Sequence, residues 1–491
     1  MERAWTVRRI IMELPKLGSI KLPKVELPKW KLPELKFPYF EIPKLKIGDS
    51  TADIPIIQGG MGVGISLSGL ASAVANQGGI GVIAANAIGM VERDYFKNGK
   101  EANIRVLRKE IRKAKKKTDG IIGVNIMVAV NDYPDLLQVC IEERVDVVFI
   151  GAGLPVRGIP IDALRKANVK LVPIVSSGRA VRLIFSVWQK KYHDIPDGVV
   201  VEGPKAGGHL GFKQEQISDP AYRLENLVPD VIKALKDFEK SFSRKIPVIA
   251  AGGIFTGKDI HKFLKMGAAG VQMASRFVAT KECDADIRFK EAYLKSKKED
   301  IIIIKSPVGL PGRAITSPFL KRVQSGKRET FRCPWQCLSS CGADKANYCI
   351  SIALNNARLG NLKKGFAFAG ENAYRIKEIV SVKDLMLSLT GELQSAADKW
   401  IVNLKNEYEK TSKKLHELKE AFQKLKKDYA SVVEKGSKTF NLDLKNLSNK
   451  KFQLIEEYME YSKKLKKDLN LIPSVCRTRD GGEGVRHEKG A

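Results

Sequence analysis

One histidine stands in a setting that suits chemistry. The segment VEGPKAGGHLGF at residues 201–212 places His209 directly after Gly207 and Gly208, and Glu202 lies seven residues earlier. The chain contains only five histidines. Glycines let a backbone pass close to a flat ring, and an imidazole titrates near neutral pH, where it can take a proton or hydrogen-bond an anion. We therefore predict that His209 is a catalytic residue that acts as a base or orients the substrate.

A cluster of cysteines forms a second constellation. The segment CPWQCLSSCGADKANYC contains Cys333, Cys337, Cys341 and Cys349, so four cysteines fall within 17 residues. Such a density indicates an iron–sulfur cluster, a zinc site or a set of free, redox-active thiols. The spacing is typical of none of these, so all three hypotheses stay open, with the iron–sulfur cluster favoured.

Composition narrows the class of protein. The chain has 491 residues, of which 44% are hydrophobic, and a net charge of +30 from 85 Lys and Arg against 55 Asp and Glu. The basic excess is spread along the chain, which argues against a nucleic-acid partner and fits attraction of anionic small molecules, acyl carriers or membrane surfaces equally well. No run of about 18 apolar residues occurs, and the start lacks a secretory pattern. We expect a cytoplasmic protein with a small-molecule substrate and no transmembrane segment.

Short apolar runs alternate with helix-compatible stretches from residue 54 onward. Each run is continuously apolar, as expected of parallel strands that are buried on both faces. Eight strand–helix units predict an α/β fold, a (β/α)8 TIM barrel. A doubly wound open sheet is the alternative, but the glycines of GMGVGIS at 60–66 have the wrong spacing for a dinucleotide fingerprint. The predicted strands are 54–58, 80–85, 121–127, 145–153, 170–177, 198–203, 246–253 and 269–275.

Two neighbouring loops of this barrel suit a phosphate. In a TIM barrel the reactive groups lie at the carboxyl ends of the strands, and the loops after strands seven and eight commonly hold a phosphate. The seventh predicted strand ends in Gly252 and Gly253 just before a helix, and the eighth ends at 272–275. Glycine N–H groups and a helix N-terminus both favour an anion. We expect a phosphate between these two loops.

The order of the motifs resembles one enzyme family. QGGMGVGIS, GVNIM, GAGLP, EGPKAGGHLGF, IPVIAAGGI and VQMASRF follow one another between about residues 45 and 390. Together they resemble the nitronate monooxygenase (2-nitropropane dioxygenase) family, whose close relatives are the FMN-dependent enoyl-acyl-carrier-protein reductases. The resemblance implies an FMN-binding barrel in which His209 stands over the flavin.

The same resemblance implies which residues contact FMN. For one of them, Asn125, the sequence adds an argument of its own, because an amide that closes an apolar strand is costly without a partner. The implied flavin contacts are Gly60, Met61, Asn125, Glu202, Gly207 and Gly208, with Gly252, Gly253, Gln272, Met273, Ala274 and Ser275 at the phosphate.

The activity implied is oxidation of an alkyl nitronate by dioxygen to a carbonyl compound and nitrite. The alternative is an NAD(P)H-dependent FMN enoyl-acyl-carrier-protein reductase or a related flavin reductase. This chain has Glu202 where the best-known nitronate oxidases have glutamine and the reductases have glutamate. A non-catalytic assembly protein is a third hypothesis, which the intact glycine motifs disfavour.

The chain extends beyond the predicted barrel at both ends. A proline recurs every fifth residue from Pro23 to Pro43, which excludes a helix there. Apolar residues three and four apart near the other end predict either a helical hairpin that folds on itself or on the barrel, or a coiled coil through which the chain would form homo-oligomers. The predicted segments are a proline-rich basic extension (1–46), the FMN-binding barrel (47–280), a substrate-covering α-helical lobe with the cysteine cluster (281–390), the helical tail (391–471) and a disordered end (472–491).

Overall fold

The computed structural model describes most of the chain in two units. The described residues of the larger unit fall within Pro38–Tyr408 and Met459–Ala491, and those of the smaller unit within Glu409–Tyr458. Most of the proline-rich extension and of the predicted disordered end lies outside the described residues. These are 39–333, 335–339, 341–342, 344, 346–435, 446–447, 449–450, 453–461, 463 and 476–477.

Strands and helices alternate through most of the larger unit. The strands are β1 (Tyr39–Phe40), β2 (Leu45–Ile47), β3 (Ser50–Ala52), β4 (Ile56–Gln58), β5 (Gly81–Ala84), β6 (Ile122–Met127), β7 (Val147–Gly151), β8 (Lys170–Val175), β9 (Val199–Glu202), β10 (Gly208–His209), β11 (Val248–Ala251), β12 (Gly270–Met273), β13 (Ile301–Lys305), β14 (Pro311–Ile315) and β15 (Cys476–Arg477). The helices are α1 (Ser68–Ala75), α2 (Gly99–Lys115), α3 (Tyr133–Glu142), α4 (Ile161–Lys166), α5 (Gly178–Tyr192), α6 (Leu224–Ser241), α7 (Gly257–Lys265), α8 (Ser275–Val278), α9 (Ile287–Lys295), α10 (Pro318–Gln324), α11 (Ile350–Arg358) and α12 (Val382–Lys435).

Eight of the described strands are parallel and form a nearly closed barrel. Their order is β4–β12–β11–β9–β8–β7–β6–β5, and a parallel bridge between Ile57 and Ile80 joins the two ends. Across this seam the Gln58 N–H donates to the Ile80 carbonyl at 2.9 Å. Each barrel strand is followed in the chain by one of the helices α1–α8. The predicted TIM barrel is confirmed, and each predicted strand contains one of the observed barrel strands.

Apolar side chains fill the barrel interior and close its amino-terminal end. Leu45 and Ile47 of the β2–β3 hairpin are fully buried and pack in one cluster with interior residues such as Phe149 of β7. The turn of the same hairpin reaches the start of β8, since a Cβ on Gly48 would lie 3.0 Å from Lys170 Cγ. The hairpin thus covers the amino-terminal end, and the loops at the carboxyl-terminal end remain for the site.

A lobe formed by residues after α8 attaches to the barrel through a small sheet. Strands β13 and β14 are an antiparallel hairpin, and β14 also pairs with β10, so the sheet has the order β10–β14–β13. In this register Gly208 lies opposite Arg313 and His209 opposite Gly312. The predicted catalytic histidine is therefore part of the strand that joins barrel and lobe.

The last described helix of the larger unit continues into the tail. Helix α12 begins at Val382, so residue 391, where we predict the tail to start, lies inside it. Its first turns bury Leu385, Leu389 and Leu393 in the main core. Further along, the predicted apolar face is buried at Leu415, Leu418, Phe422 and Leu425. In the described part of the chain, no helix combines the length and apolar character that a membrane span requires.

We expect Asp284 to be important for stability, because it caps helix α1 from a distant part of the chain. Its Oδ2 accepts the N–H groups of Leu67 at 2.8 Å and Leu70 at 3.1 Å. Replacing Asp284 by alanine leaves these helix N–H groups without their carboxylate, which should lower the free energy of unfolding by about 1–3 kcal/mol. Chemical denaturation measures the change. The control is Asp53→Ala, which removes an exposed partner of Lys44 and should change stability by less than about 0.5 kcal/mol. Equal effects of the two substitutions would contradict the capping role.

Candidate active site

Two adjoining cavities lie at the carboxyl ends of the barrel strands. The first extends over the loops after β11 and β12, and the second extends over the loops after β6 and β7 to the lobe. The wall that they share is formed by Gly60, Gly62, Glu202, Gly208, Gln272 and Phe368. The predicted flavin residues in the first cavity are Gly60, Met61, Glu202, Gly207, Gly208, Gly252, Gly253, Gln272, Met273, Ala274 and Ser275. The second cavity adds Asn125 and His209.

The glycine loop after β11 forms one side of the first cavity. Gly252 has a φ of +94°, a backbone conformation that favours glycine, and a Cβ there would lie 2.8 Å from the Gly203 carbonyl oxygen. The lobe closes over this loop, because Asn372 Nδ2 donates to the Gly253 carbonyl at 2.6 Å. At the loop after β12, Ser275 Oγ accepts the N–H of the lobe residue Gly370 at 3.0 Å. Barrel loops and lobe together enclose the first cavity.

The N-terminus of helix α7 is not free to bind an anion, contrary to our expectation from the sequence. The Gly257 N–H donates to Glu392 Oε2 at 2.8 Å, and the Asp259 N–H donates to Thr256 Oγ1 at 3.2 Å. A carboxylate from helix α12 therefore already occupies the N-terminus of α7. The prediction that this helix end favours a bound anion is wrong, and the predicted phosphate contacts in the loop after β11 are reduced to Gly252 and Gly253.

A buried arginine of the lobe fixes the loop that carries the histidine. Arg313 of β14 is only 5% exposed, and its Nη1 donates to the carbonyl of Pro204 and, at 2.9 Å, to the carbonyl of Ala206. On the other side of the histidine, the Leu210 N–H donates to the Pro311 carbonyl at 2.8 Å. The loop is thus attached to β14 both before and after the residue that faces the cavity.

The imidazole of His209 is uncharged in this setting. Its Nε2 lies 2.7 Å from Ser306 Oγ, and its ring meets the edge of the Phe368 ring with the centroids 5.0 Å apart. Burial lowers the pKa of His209 to about 4. At neutral pH the ring therefore carries no charge, and it can accept or donate a single hydrogen bond on each nitrogen according to its tautomer.

Two further polar groups line the cavities next to the histidine. Glu202 is the last residue of strand β9 and forms part of the wall that both cavities share. Burial raises its pKa to about 7. Near neutral pH this carboxyl is therefore partly protonated. Asn125 of β6 lines the second cavity, and its Nδ2 donates a long hydrogen bond of 3.4 Å to the Phe149 carbonyl. At slightly acidic pH the Glu202 carboxyl is mostly neutral, and the Asn125 amide carries no charge at any pH.

Several residues of the site escape sequence reasoning. Ser306 follows β13, and Phe368 and Asn372 lie in a loop of the lobe, so none of them belongs to a barrel motif. Asp132 lines the second cavity and is only 2% exposed; burial raises its pKa, and Asn103 Nδ2 donates to it at 2.7 Å. The one signal for the lobe residues is the apolar stretch FAFAG at 366–370.

The four predicted metal-ligating cysteines lie together beside the second cavity. Cys333, Cys337, Cys341 and Cys349 line a further cavity under the lobe, and Cys337 lines the second cavity as well. Within the described residues, no three His, Cys, Asp or Glu side chains already form a group that could hold a metal ion. The structure thus brings the four thiols to one place without arranging them around a common point.

Comparison with known proteins gives relatives of two kinds. A dehydrogenase of Mycobacterium tuberculosis that acts on (3aS,4S,5R,7aS)-5-hydroxy-7a-methyl-1-oxo-octahydro-1H-indene-4-carboxyl-CoA is 28% identical over 274 residues, 56% of this chain and 66% of its own. A probable nitronate monooxygenase of Staphylococcus aureus is 27% identical over 307 residues, 55% of this chain and 78% of its own. The match to the first of these relatives covers just under two thirds of its length.

Solved structures and a family model cover the same region. FabK of Thermotoga maritima is 30% identical, with a TM-score of 0.56 over 71% of this chain and 95% of its own. A nitroalkane oxidase of Streptomyces ansochromogenes, 23% identical with a TM-score of 0.55 over 71% and 98%, shares the fold. The sequence model of nitronate monooxygenase matches residues 44–392, which include the barrel, both cavities and the lobe. The chain belongs to the nitronate monooxygenase family of FMN-dependent oxidoreductases.

Proposed function

We propose that this protein uses FMN to oxidise alkyl nitronates with dioxygen, giving a carbonyl compound and nitrite. The observation that carries the proposal is the placement of His209, which lines the second cavity with its Nε2 held 2.7 Å from Ser306 Oγ. A nitronate is a small anion, and the neutral imidazole can hydrogen-bond to it in the pH range where the Glu202 carboxyl is protonated. The likeness to the probable nitronate monooxygenases of Staphylococcus aureus supports the same substrate class.

The two cavities together fit FMN. Gly208 lines both of them with a φ of +83°, and a Cβ built there would meet no protein atom within 4 Å, so the backbone borders open space that a flat ring can approach. The loops with Gly252 and Ser275 would hold the phosphate, and Asn125 and Glu202 would lie beside the ring. Bound FMN would supply the electron acceptor for the substrate and the reaction with dioxygen.

The chain itself positions the substrate and controls protons. His209 would hydrogen-bond a nitronate oxygen, or take the acidic α-proton when the neutral nitroalkane enters. Ser306 holds the ring through Nε2, and Phe368 packs against the ring, so that its orientation is set before the substrate arrives. The lobe, attached to the loop by Arg313, would keep bulk water away from the reacting atoms.

Removal of the imidazole should affect turnover much more than cofactor binding. In a His209→Ala variant we expect FMN to be retained, because the other residues of both cavities are unchanged. Turnover of propionate 3-nitronate should fall by about 10²-fold or more, since positioned acid–base groups typically contribute this much. Steady-state kinetics and flavin absorbance measure the two effects. His416→Ala, which changes an exposed residue of α12, is the control. Unchanged turnover of the His209 variant would remove the histidine from the mechanism.

Activity on the anionic substrate should depend on the ionisation of Glu202. Its raised pKa of about 7 means that the carboxyl is uncharged below this pH and negative above it. A negative charge beside the cavity repels a nitronate, so kcat/KM should decrease as the pH rises through about 7. In Glu202→Gln this decrease should disappear, while the exposed Glu215→Gln should keep it. A decrease that persists in Glu202→Gln would show that another group controls the profile.

Reduction of an enoyl thioester by NAD(P)H is the second candidate function. It is favoured by the 30% identity to FabK over 95% of that chain and by the carboxyl-CoA dehydrogenases among the relatives. Glu202 is the feature of the site that suits it, because a carboxyl with a pKa of about 7 can donate a proton to a carbanion at neutral pH. Glu202 would therefore donate a proton in the reductase reaction, whereas its ionised form would repel the substrate in the nitronate reaction.

An anaerobic absorbance experiment separates the two functions. The purified holoenzyme is mixed in turn with propionate 3-nitronate, NADH and NADPH. We expect the nitronate alone to bleach the flavin bands. Bleaching by a nicotinamide and not by the nitronate would overturn the first proposal in favour of the reductase, and absence of flavin from the purified protein would overturn both.

A further inference from the structure

The proposed function leaves four clustered cysteines without a role. Cys333, Cys337, Cys341 and Cys349 are all half-buried and all line the cavity under the lobe. Cys333 Sγ lies 3.1 Å from the Trp335 carbonyl oxygen, and Cys337 Sγ lies 3.7 Å from a serine hydroxyl. Both are weak contacts of a thiol, so the sulfurs can exchange them for a stronger partner at small cost.

One of these sulfurs lies at the start of a helix. Cys349 directly precedes helix α11, and the N–H groups of Ile352 and then Ser351 act on its sulfur. Hydrogen bonds of this kind are typical of thiolates that ligate a metal or a cluster.

The cysteine cavity shares a wall with the second cavity of the active site. Cys337, Leu338, Ile350 and Ser351 line both of them. The shared segment is also attached to the loop after β6. The Asn131 N–H donates to the Cys337 carbonyl at 3.1 Å, and Leu338 forms a bridge to the same loop. Whatever binds the four sulfurs therefore lies next to the cavity that His209 also lines.

The chemistry of the donor set selects the ligand. The described lining of the cavity offers four cysteines and one carboxylate, Asp344. Four cysteines are the usual ligand set of an iron–sulfur cluster and also of structural zinc. Position favours the cluster, because the thiols lie next to the cavity in which a flavin enzyme handles electrons. The sulfurs are not yet arranged for a metal among the described residues, so binding must draw the segment inward.

We infer that Cys333, Cys337, Cys341 and Cys349 together bind one iron–sulfur cluster at the wall that the cysteine cavity shares with the second cavity. The assignment uses the placement of the four thiols in one cavity and the residues that this cavity shares with the active site. It does not depend on the substrate that the enzyme oxidises or reduces.

The full-length protein, purified without oxygen, tests the inference directly. We expect iron and acid-labile sulfide to accompany the protein in amounts that correspond to one cluster per chain. After reduction with dithionite, electron paramagnetic resonance should detect a signal that free flavin does not produce. Alkylation of the native protein should leave the four cysteines unmodified, and alkylation after removal of iron with acid should modify all four, as mass spectrometry can show.

Single substitutions then identify the ligands. Cys333→Ser and Cys341→Ser should each lose most of the iron while FMN content stays close to that of the unchanged protein. Cys140→Ala, which removes a thiol buried in α3 outside the cavity, is the matched control and should keep its iron. The iron and sulfide content of the unchanged protein decides the question even if a serine variant does not fold.

Three outcomes would overturn the inference. They are zinc in place of iron and sulfide, alkylation of all four thiols in the native protein, and full iron content in both serine variants. Failure of the proposed nitronate activity is a separate result, because metal content is measured without any substrate and His209→Ala should retain the cluster.

Discussion

The active site depends on one buried cation that holds two distant parts of the chain together. Arg313 belongs to the lobe, yet its guanidinium bonds to carbonyls of the loop that precedes His209. Burial lowers the pKa of Arg313, and the nearby Glu371 counteracts this effect. A guanidinium so enclosed must satisfy its donors locally, and the carbonyls of a glycine-containing loop are the groups within reach. The histidine therefore reaches its working position only when the lobe has packed on the barrel.

Enclosure by the lobe also determines the charge of the site. Burial favours the neutral form of every titratable group, and so it lowers the pKa of His209 and raises those of Glu202 and Asp132. An imidazole in water would be partly protonated near neutral pH, whereas this one is not. The same packing that fixes the ring thus keeps it uncharged, as a hydrogen-bonding group that is a weaker base than an imidazole in water. Position and protonation state have a common cause.

The barrel and most of its lining were predictable, because they follow from local patterns. A continuous apolar run has to be a strand buried on both faces, and Gly207–Gly208 before a histidine indicates a backbone passing close to a ligand. The contribution of Ser306 was not predictable, since nothing in the segment around it reveals that β14 will pair with β10. The failure at helix α7 has the same origin. Its N-terminus is occupied by Glu392, 135 residues further along the chain.

The β2–β3 hairpin at the opposite end of the barrel has a consequence for access to the site. Its buried Leu45 and Ile47 belong to the apolar cluster that fills the barrel interior, so a ligand cannot enter along the barrel axis from the amino-terminal end. A molecule that reaches the two cavities therefore has to come from the carboxyl-terminal side, where the lobe lies.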